Sequence, residues 1–312
     1  MQQRLLVLNY HQVPELADSL RPDQVDRGVF GEQLRTLKRF FNVVDLHDGI
    51  DSMRSSDLPP RALAITFDDG YRDNYDVALD ELLKAKCPAT FFIATDYLDG
   101  GRMWNDTLIE AVRQTKRDSV DIKELGIPQL QLDTPLNLSS NLDRMGAIRK
   151  LIPAVKYLDA QTRQRAVDSL ASYCGVELSN TMMMTSAQVQ GLVDAGMSIG
   201  GHTSSHPILL KLSLEEAGND IIRGREALTK LLDQEPRFFA YPNGKLNQDF
   251  SAEHAKLLPE IGFDAAFTTQ WGYVNRSMPA FELPRVGFNR QTGFKLVLKV
   301  LRSFFDAPAE FS

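Results

Sequence analysis

Two adjacent aspartates and two histidines four positions apart are the residues of this chain best suited to chemistry. Asp68 and Asp69 stand in Thr66-Phe67-Asp68-Asp69-Gly70-Tyr71, directly after an apolar run at 62–65. On a continuing strand their side chains would point to opposite faces, but a turn at Gly70 lets both carboxylates reach one cleft. One can then bind a cation while the other accepts a proton; alternatively, an Asp here simply caps a following helix. His202 and His206, in Gly200-Gly201-His202-Thr203-Ser204-Ser205-His206-Pro207, follow another apolar run in a chain with only five histidines. On a single helical turn they share a face and can grip one ion. The pair alone is a weak signal, but a strand-end carboxylate as third ligand makes a catalytic site with positions open to water and substrate. A third segment, Phe238-Phe239-Ala240-Tyr241-Pro242-Asn243-Gly244, also ends an apolar run. Its Pro and Gly shape a tight loop, either a plain turn or one whose backbone donors face an oxyanion.

These segments need elements to hold them. Runs at 5–9, 42–46, 62–67 and 90–94 lack polar alternation and read as strands buried on both faces, with further candidates at 197–200, 237–241, 265–269 and 285–288. Helical patterns lie between several of them, at 74–86, 186–195 and 213–232, the last with Ser213 and Glu216 spaced as a capping box. Strands alternating with helices imply a mainly parallel sheet, open or closed into a barrel, and such folds carry their chemistry at the carboxyl ends of the strands. The stretch 103–185 breaks the alternation, with helix-like segments at 144–157 and 160–173 and prolines at Pro128, Pro135 and Pro153. It reads as a mostly helical insertion within one domain spanning 1–312, because the alternation resumes after it.

The hydrophobic fraction of 43% and charged fraction of 24% are those of an ordinary globular chain. A net charge of −6 argues against nucleic acid and anionic lipid, which excess Lys and Arg would attract. Cys87 and Cys174 lack the close spacing of a metal knuckle or redox pair and read as structural. The apolar run 5–8 is too short for a signal-peptide core and far below the ~20 residues that span a bilayer, so the expectation is a cytoplasmic protein.

Taken in order, TFDDG, HTSSHP and FAYPNG resemble the first three motifs of the polysaccharide deacetylase family, also called the NodB-homology or carbohydrate esterase 4 family. The resemblance covers about 5–117 and 185–288. It implies an α/β fold, a distorted (β/α)7-type barrel, with Asp69, His202 and His206 as ligands of a divalent metal, Zn²⁺ first and Co²⁺, Ni²⁺ or Mn²⁺ as alternatives. It also implies Asp68 as the catalytic base, the backbone N–H of Tyr241 as oxyanion donor, and an acetylated carbohydrate as the partner. Two positions depart from the family pattern. Ala240 and Tyr241 stand where many members carry an Arg that orients the base, which leaves Arg285 as a substitute or as a structural residue. No His follows His254, so the late Leu-x-His motif that supplies a general acid is absent and the proton donor is unassigned.

His11, in Leu8-Asn9-Tyr10-His11-Gln12-Val13, ends the first strand and resembles the Tyr-His segment of a subset of the family linked to exopolysaccharide production. It either lies in the site or is a hydrogen-bonded structural His. Trp104 is either a sugar-stacking platform or part of a core. The functional expectation is a hydrolase removing N-acetyl groups from a polysaccharide, oligosaccharide or sugar precursor. An O-acetyl esterase and a non-catalytic carbohydrate-binding barrel are the alternatives.

Overall fold

The computed structural model describes residues 3–130, 132–133 and 135–306; Met1, Gln2 and 307–312, the ends of the 1–312 span, lie outside them. The strands are β1 (Leu5–Tyr10), β2 (Asn42–Val43), β3 (Ala62–Phe67), β4 (Thr90–Ile93), β5 (Ser119–Val120), β6 (Leu136–Asn137), β7 (Ser198–Gly201), β8 (Phe238–Ala240) and β9 (Ala265–Phe267). The helices are α1 (Arg27–Phe40), α2 (Leu46–Ser55), α3 (Leu79–Ala85), α4 (Trp104–Gln114), α5 (Asn141–Lys156), α6 (Ala160–Cys174), α7 (Ser186–Asp194), α8 (Leu214–Leu232), α9 (Ala252–Ile261) and α10 (Gly293–Ser303). These elements group into two compact units, one built on Met1–Leu16, Asp23–Asp99 and Met183–Ser312, the other on Ala17–Pro22 and Gly100–Met182.

In the first unit a parallel sheet runs β1-β3-β4-β7-β8-β9, with β2 also paired to β3. Every residue of β3 and β4 is buried, which is why their sequences are apolar apart from the buried Thr66 and Thr90. Alternate residues serve two cores. Leu6, Leu8, Leu63, Ile65 and Phe91 join one that includes Phe30 and Leu34 of α1 and Leu82 of α3. Leu5, Val7, Ala62, Ala64, Phe92, Phe238 and Phe267 form the other. The 285–288 run forms no separate strand. Instead Leu283 bridges Phe267 of β9 and Val286 bridges Leu8 of β1, both in parallel. Val286 N–H donates to Val7 O and Asn9 N–H to Val286 O, each at 2.9 Å. The sheet's edge strands are thus tied together, and the sheet curls into the distorted (β/α) barrel that the family resemblance implies.

Local signals set several boundaries. The 42–46 run stops as a strand at Val43 because the Asp45 side chain accepts from the N–H groups of His47 and Asp48 and starts α2. The 74–86 pattern opens with a π-helical turn over Asn74–Ala78 before α3 begins. The Ser213–Glu216 capping box is present at the start of α8.

The second unit has its own apolar core, with Leu108 and Val112 from α4, Ile148 and Leu151 from α5, and Val167 and Leu170 from α6. Strands β5 and β6 pair antiparallel within it. Trp104 packs against this core with the Arg163 guanidinium 5.4 Å from its ring centroid. Cys87 and Cys174 are both buried and free. Among the described residues no helix is long and apolar enough to cross a membrane.

Candidate active site

Asp68 and Asp69 leave the carboxyl end of β3, and His202 leaves that of β7. Asp68 N–H still donates to Tyr10 O at 3.0 Å, but Asp69 and Gly70 then adopt φ of 80° and 90°. That left-handed turn is what keeps two consecutive carboxylates from being sent to opposite faces. The histidine pair is held by a loop rather than by a helical turn, with Thr203 at φ 65° and His206 at φ 51°. Strand β4 lies between β3 and β7 and brings the two loops together, with His202 N–H donating to Ile93 O at 3.2 Å.

Asp69 Oδ1 lies 3.3 Å from Nε2 of His202 and 3.3 Å from Nε2 of His206. One ligand atom from each of the three residues lies within 4.8 Å of the others. His202 Nδ1 is 2.6 Å from the Ala240 carbonyl. A carbonyl only accepts, so Nδ1 carries the proton and Nε2 of the neutral ring turns a lone pair toward Asp69. Two lone-pair groups at that distance repel each other unless a proton or a cation lies between them. Asp69 Oδ1 is buried and accepts no hydrogen bond, so the trio has the donor set and the unmet demand of a divalent-cation site. Burial pushes the Asp69 carboxyl up, but the His202 and His206 contacts outweigh it and hold the group well below the usual carboxylate range. Burial pushes the His202 imidazole down, yet the charges of Asp68 and Asp69 bring it above its ordinary value. Without a cation the centre therefore draws a proton.

Asp68 has a separate set of partners. Arg285 donates to Oδ1 and Oδ2, both at 2.7 Å, and Asn9 Nδ2 donates to Oδ2 at 3.1 Å. The guanidinium is itself buried, donating through Nε to Thr268 O at 3.0 Å and lying 5.5 Å from the Phe92 ring centroid. Desolvation, the largest single influence, raises the Asp68 carboxyl, but the Arg285 and His202 charges, the Arg285 hydrogen bonds and the His11 charge together outweigh it, and the group sits below its ordinary value. Arg285 reaches this position because it lies on the segment that links β9 to β1. Asn9 is a site residue that the sequence reading missed. Its signal is a lone amide near the carboxyl end of an otherwise apolar strand.

The Tyr241 N–H requires a correction. It donates to Phe267 O at 3.1 Å, continuing the β8–β9 pairing one residue further, so it is not available to an oxyanion. The ring stacks on Phe250 with centroids 3.7 Å apart, and the hydroxyl donates to Phe281 O at 2.9 Å. Pro242 has no N–H, and Asn243, at φ 62°, spends its own N–H on no partner among the described residues.

His11 is exposed at the end of β1, and its charge contributes to lowering both the Asp68 and Asp69 carboxyls. The other two histidines are engaged elsewhere. His47 meets the Phe238 ring edge-on at 4.7 Å, and His254 Nδ1 accepts from Ser251 in the capping box of α9.

Comparison with known proteins bears on this arrangement. The barrel resembles the Streptococcus pyogenes deacetylase PplD in complex with acetate (17% identity, TM-score 0.63, covering 96% of this chain and 99% of that one). It also resembles IcaB from Ammonifex degensii (19% identity, TM-score 0.60, covering 96% and 97%). A de-N-acetylase from Aggregatibacter actinomycetemcomitans gives 18% identity and a TM-score of 0.60 over 96% of this chain and 100% of that one. At such identities these likenesses speak for the fold. A peptidoglycan-N-acetylglucosamine deacetylase of Bacillus cereus is 38% identical over 58 residues, a match spanning 19% of this chain and 21% of that relative's length. The family model described as polysaccharide deacetylase matches residues 55–125 and 157–261, more than half of the sequence. The chain belongs to the polysaccharide deacetylase family.

Proposed function

We propose that this protein is a metal-dependent hydrolase that removes N-acetyl groups from a polysaccharide, an oligosaccharide or a sugar precursor. One observation carries the reading. An unsatisfied, buried Asp69 oxygen faces Nε2 of two histidines, while the neighbouring Asp68 is kept anionic by Arg285. Asp69, His202 and His206 would hold the cation. Zn²⁺ suits a two-nitrogen, one-oxygen donor set best, and Co²⁺, Ni²⁺ or Mn²⁺ can take the same ligands. When bound, the cation supplies positive charge that polarises the acyl carbonyl and acidifies a water.

Asp68 takes the proton of the attacking water. A carboxylate held below its ordinary pKa is a weak base, so this step suits a water that is already acidified. Arg285 and Asn9 grip both Asp68 oxygens and fix the direction from which the proton arrives. The Asn243 N–H is the first free backbone donor beyond β8, which ends where Ala240 touches His202. It is assigned to the developing oxyanion, a contact typically worth ~3 kcal/mol. His11 is the imidazole left over once the ligands, His47 and His254 are accounted for, and it protonates the departing nitrogen. Free amine and acetate leave together. The Bacillus cereus relative, a peptidoglycan-N-acetylglucosamine deacetylase, and the Aggregatibacter actinomycetemcomitans de-N-acetylase support amide rather than ester chemistry.

The test is to supply the metal-loaded protein with N-acetylglucosamine oligomers and with acetylated xylan, measuring acetate and amine separately, beside Asp68→Asn. Equal amine and acetate from the oligomers, lost in Asp68→Asn while metal stays bound, is the expected result. Acetate without amine would assign an esterase. Undiminished turnover in Asp68→Asn would remove Asp68 from the mechanism.

A further inference from the structure

The loop that carries His202 and His206 is held from outside itself. Thr203 is β-branched and sits at φ 65°, a conformation sterically poor for such a residue that persists only where the surroundings over-determine it. Within the loop, Thr203 Oγ1 accepts from His206 N–H at 3.0 Å and donates to His202 O. The larger grip comes from α8. Asp220, buried on that helix, accepts through Oδ1 from the N–H groups of Ser204 (2.8 Å) and Ser205 (3.1 Å), and through Oδ2 from the Ser205 hydroxyl (2.7 Å).

One turn further along α8, a Cβ on Gly224 would fall 2.6 Å from both C and O of Thr203 and 3.0 Å from Ser204 N, so only glycine lets the helix backbone lie against the loop. The turn after β4 holds another part of the same loop. Asp96 N–H donates to Ser204 O at 3.0 Å, the Ser204 hydroxyl donates to Asp96 Oδ1 at 2.5 Å, and Tyr97 OH donates to Ser205 O at 3.0 Å. Arg223 joins the two supports through Asp220 (2.8 Å) and Asp96 (3.1 Å), with its own side chain 56% exposed.

We infer that Asp220 is the positioning residue of the metal centre: by gripping the two consecutive amides between His202 and His206, it fixes the distance of both imidazoles from Asp69 and so sets the affinity for a divalent cation. The inference rests on the reading of Asp69, His202 and His206 as ligands. A carboxylate inside a helix has no capping role there, and the hydrogen bonds of Asp220 go to the ligand loop and to Arg223 alone among the described residues.

The experiment is competition for Zn²⁺ against a chromophoric chelator, which reads affinity without reference to turnover. Asp220→Ala is expected to weaken Zn²⁺ binding by ~10–100-fold, the usual effect of losing a group that orients a metal ligand. Asp220→Asn, whose amide oxygen still accepts both N–H groups, should bind close to wild type, as should Arg223→Ala. If Asp220→Ala does not fold, Asp220→Glu tests the same point, since it keeps the charge but displaces the acceptor by one methylene and should also bind Zn²⁺ more weakly. Wild-type affinity in both Asp220→Ala and Asp220→Glu would overturn the inference. Asp69→Ala separates the two readings. If it weakens binding while the Asp220 variants do not, only the positioning role fails; if it leaves affinity intact, the ligand assignment fails beneath it.

Discussion

Arg285 and Asp68 meet in a buried two-point fork, each guanidinium nitrogen 2.7 Å from its own carboxylate oxygen, although 217 positions separate them in the chain. The link that 283–286 makes between β9 and β1 delivers the arginine to the carboxyl end of β3. Removing the cation alone, as in Arg285→Met, leaves a buried unpaired carboxylate and should cost about 3–5 kcal/mol in urea unfolding. Arg285→Lys keeps the charge but not the planar fork. It should lose less stability yet still lose most activity, because Asp68 is then free to rotate. Full activity in Arg285→Lys would show that the fork does not orient the base.

The stability of metal-free protein should depend on pH in two directions. The His202 imidazole is raised above its ordinary value, so the stability from its proton is fully present below the unfolded value of ~6.5 and is lost as pH rises through the folded value. Asp68 and Asp69 are lowered, so their contributions are present above ~3.9 and are lost as pH falls through their folded values. Chelator-treated protein should therefore unfold at lower urea at pH 8.5 than at pH 6. Added Zn²⁺ should abolish the difference by taking the place of the proton. Equal midpoints with chelator at the two pH values would contradict the electrostatic account.

His11→Asn removes the proposed proton donor without touching the three ligands. Turnover of an N-acetyl sugar is expected to fall by ~10²–10⁴, the range for losing a general acid, with Zn²⁺ affinity unchanged. A variant with normal turnover would return His11 to a structural role.

At Gly200, on β7 two residues before His202, a Cβ would fall 2.4 Å from two ring carbons of Phe92 and 3.0 Å from Phe238 O. Gly200→Ala should destabilise by about 1–3 kcal/mol, as overpacking in a core does, and should lower Zn²⁺ affinity through the strand that carries the ligand. Thermal unfolding beside chelator competition checks both effects.

Much of the barrel is legible in the sequence because a strand covered on both faces leaves a mostly apolar run. Residues 62–67 coincide with β3, and the run at 90–94 extends only one residue beyond β4. Boundaries set by a cap or a bridge are harder to read. Val44 and Leu46 are as apolar as a strand requires, and only the Asp45 side chain turning back on the next N–H groups ends β2 early. The linking segment 283–286 makes single bridges to each neighbour, and periodicity carries no trace of such a link.

In the site, residue type and strand-end position bring out Asp68, Asp69, His202 and His206. The fate of a backbone N–H is invisible at that level. Tyr241 looks like a loop donor in FAYPNG, and only the register of β8 against β9 shows its N–H already used. Asp220 is equally silent, one acidic residue on a helix with several, until folding places it under the loop that carries His202 and His206.

Anomalous diffraction at the zinc edge from crystals soaked in Zn²⁺ reads the proposed cation site of Asp69, His202 and His206 without recourse to turnover. One strong peak is expected at ~2.0–2.2 Å from Asp69 Oδ1 and from Nε2 of both histidines, absent in Asp69→Ala crystals treated alike. Ordered, unmoved side chains with no peak among them at saturating Zn²⁺ would rule the site out.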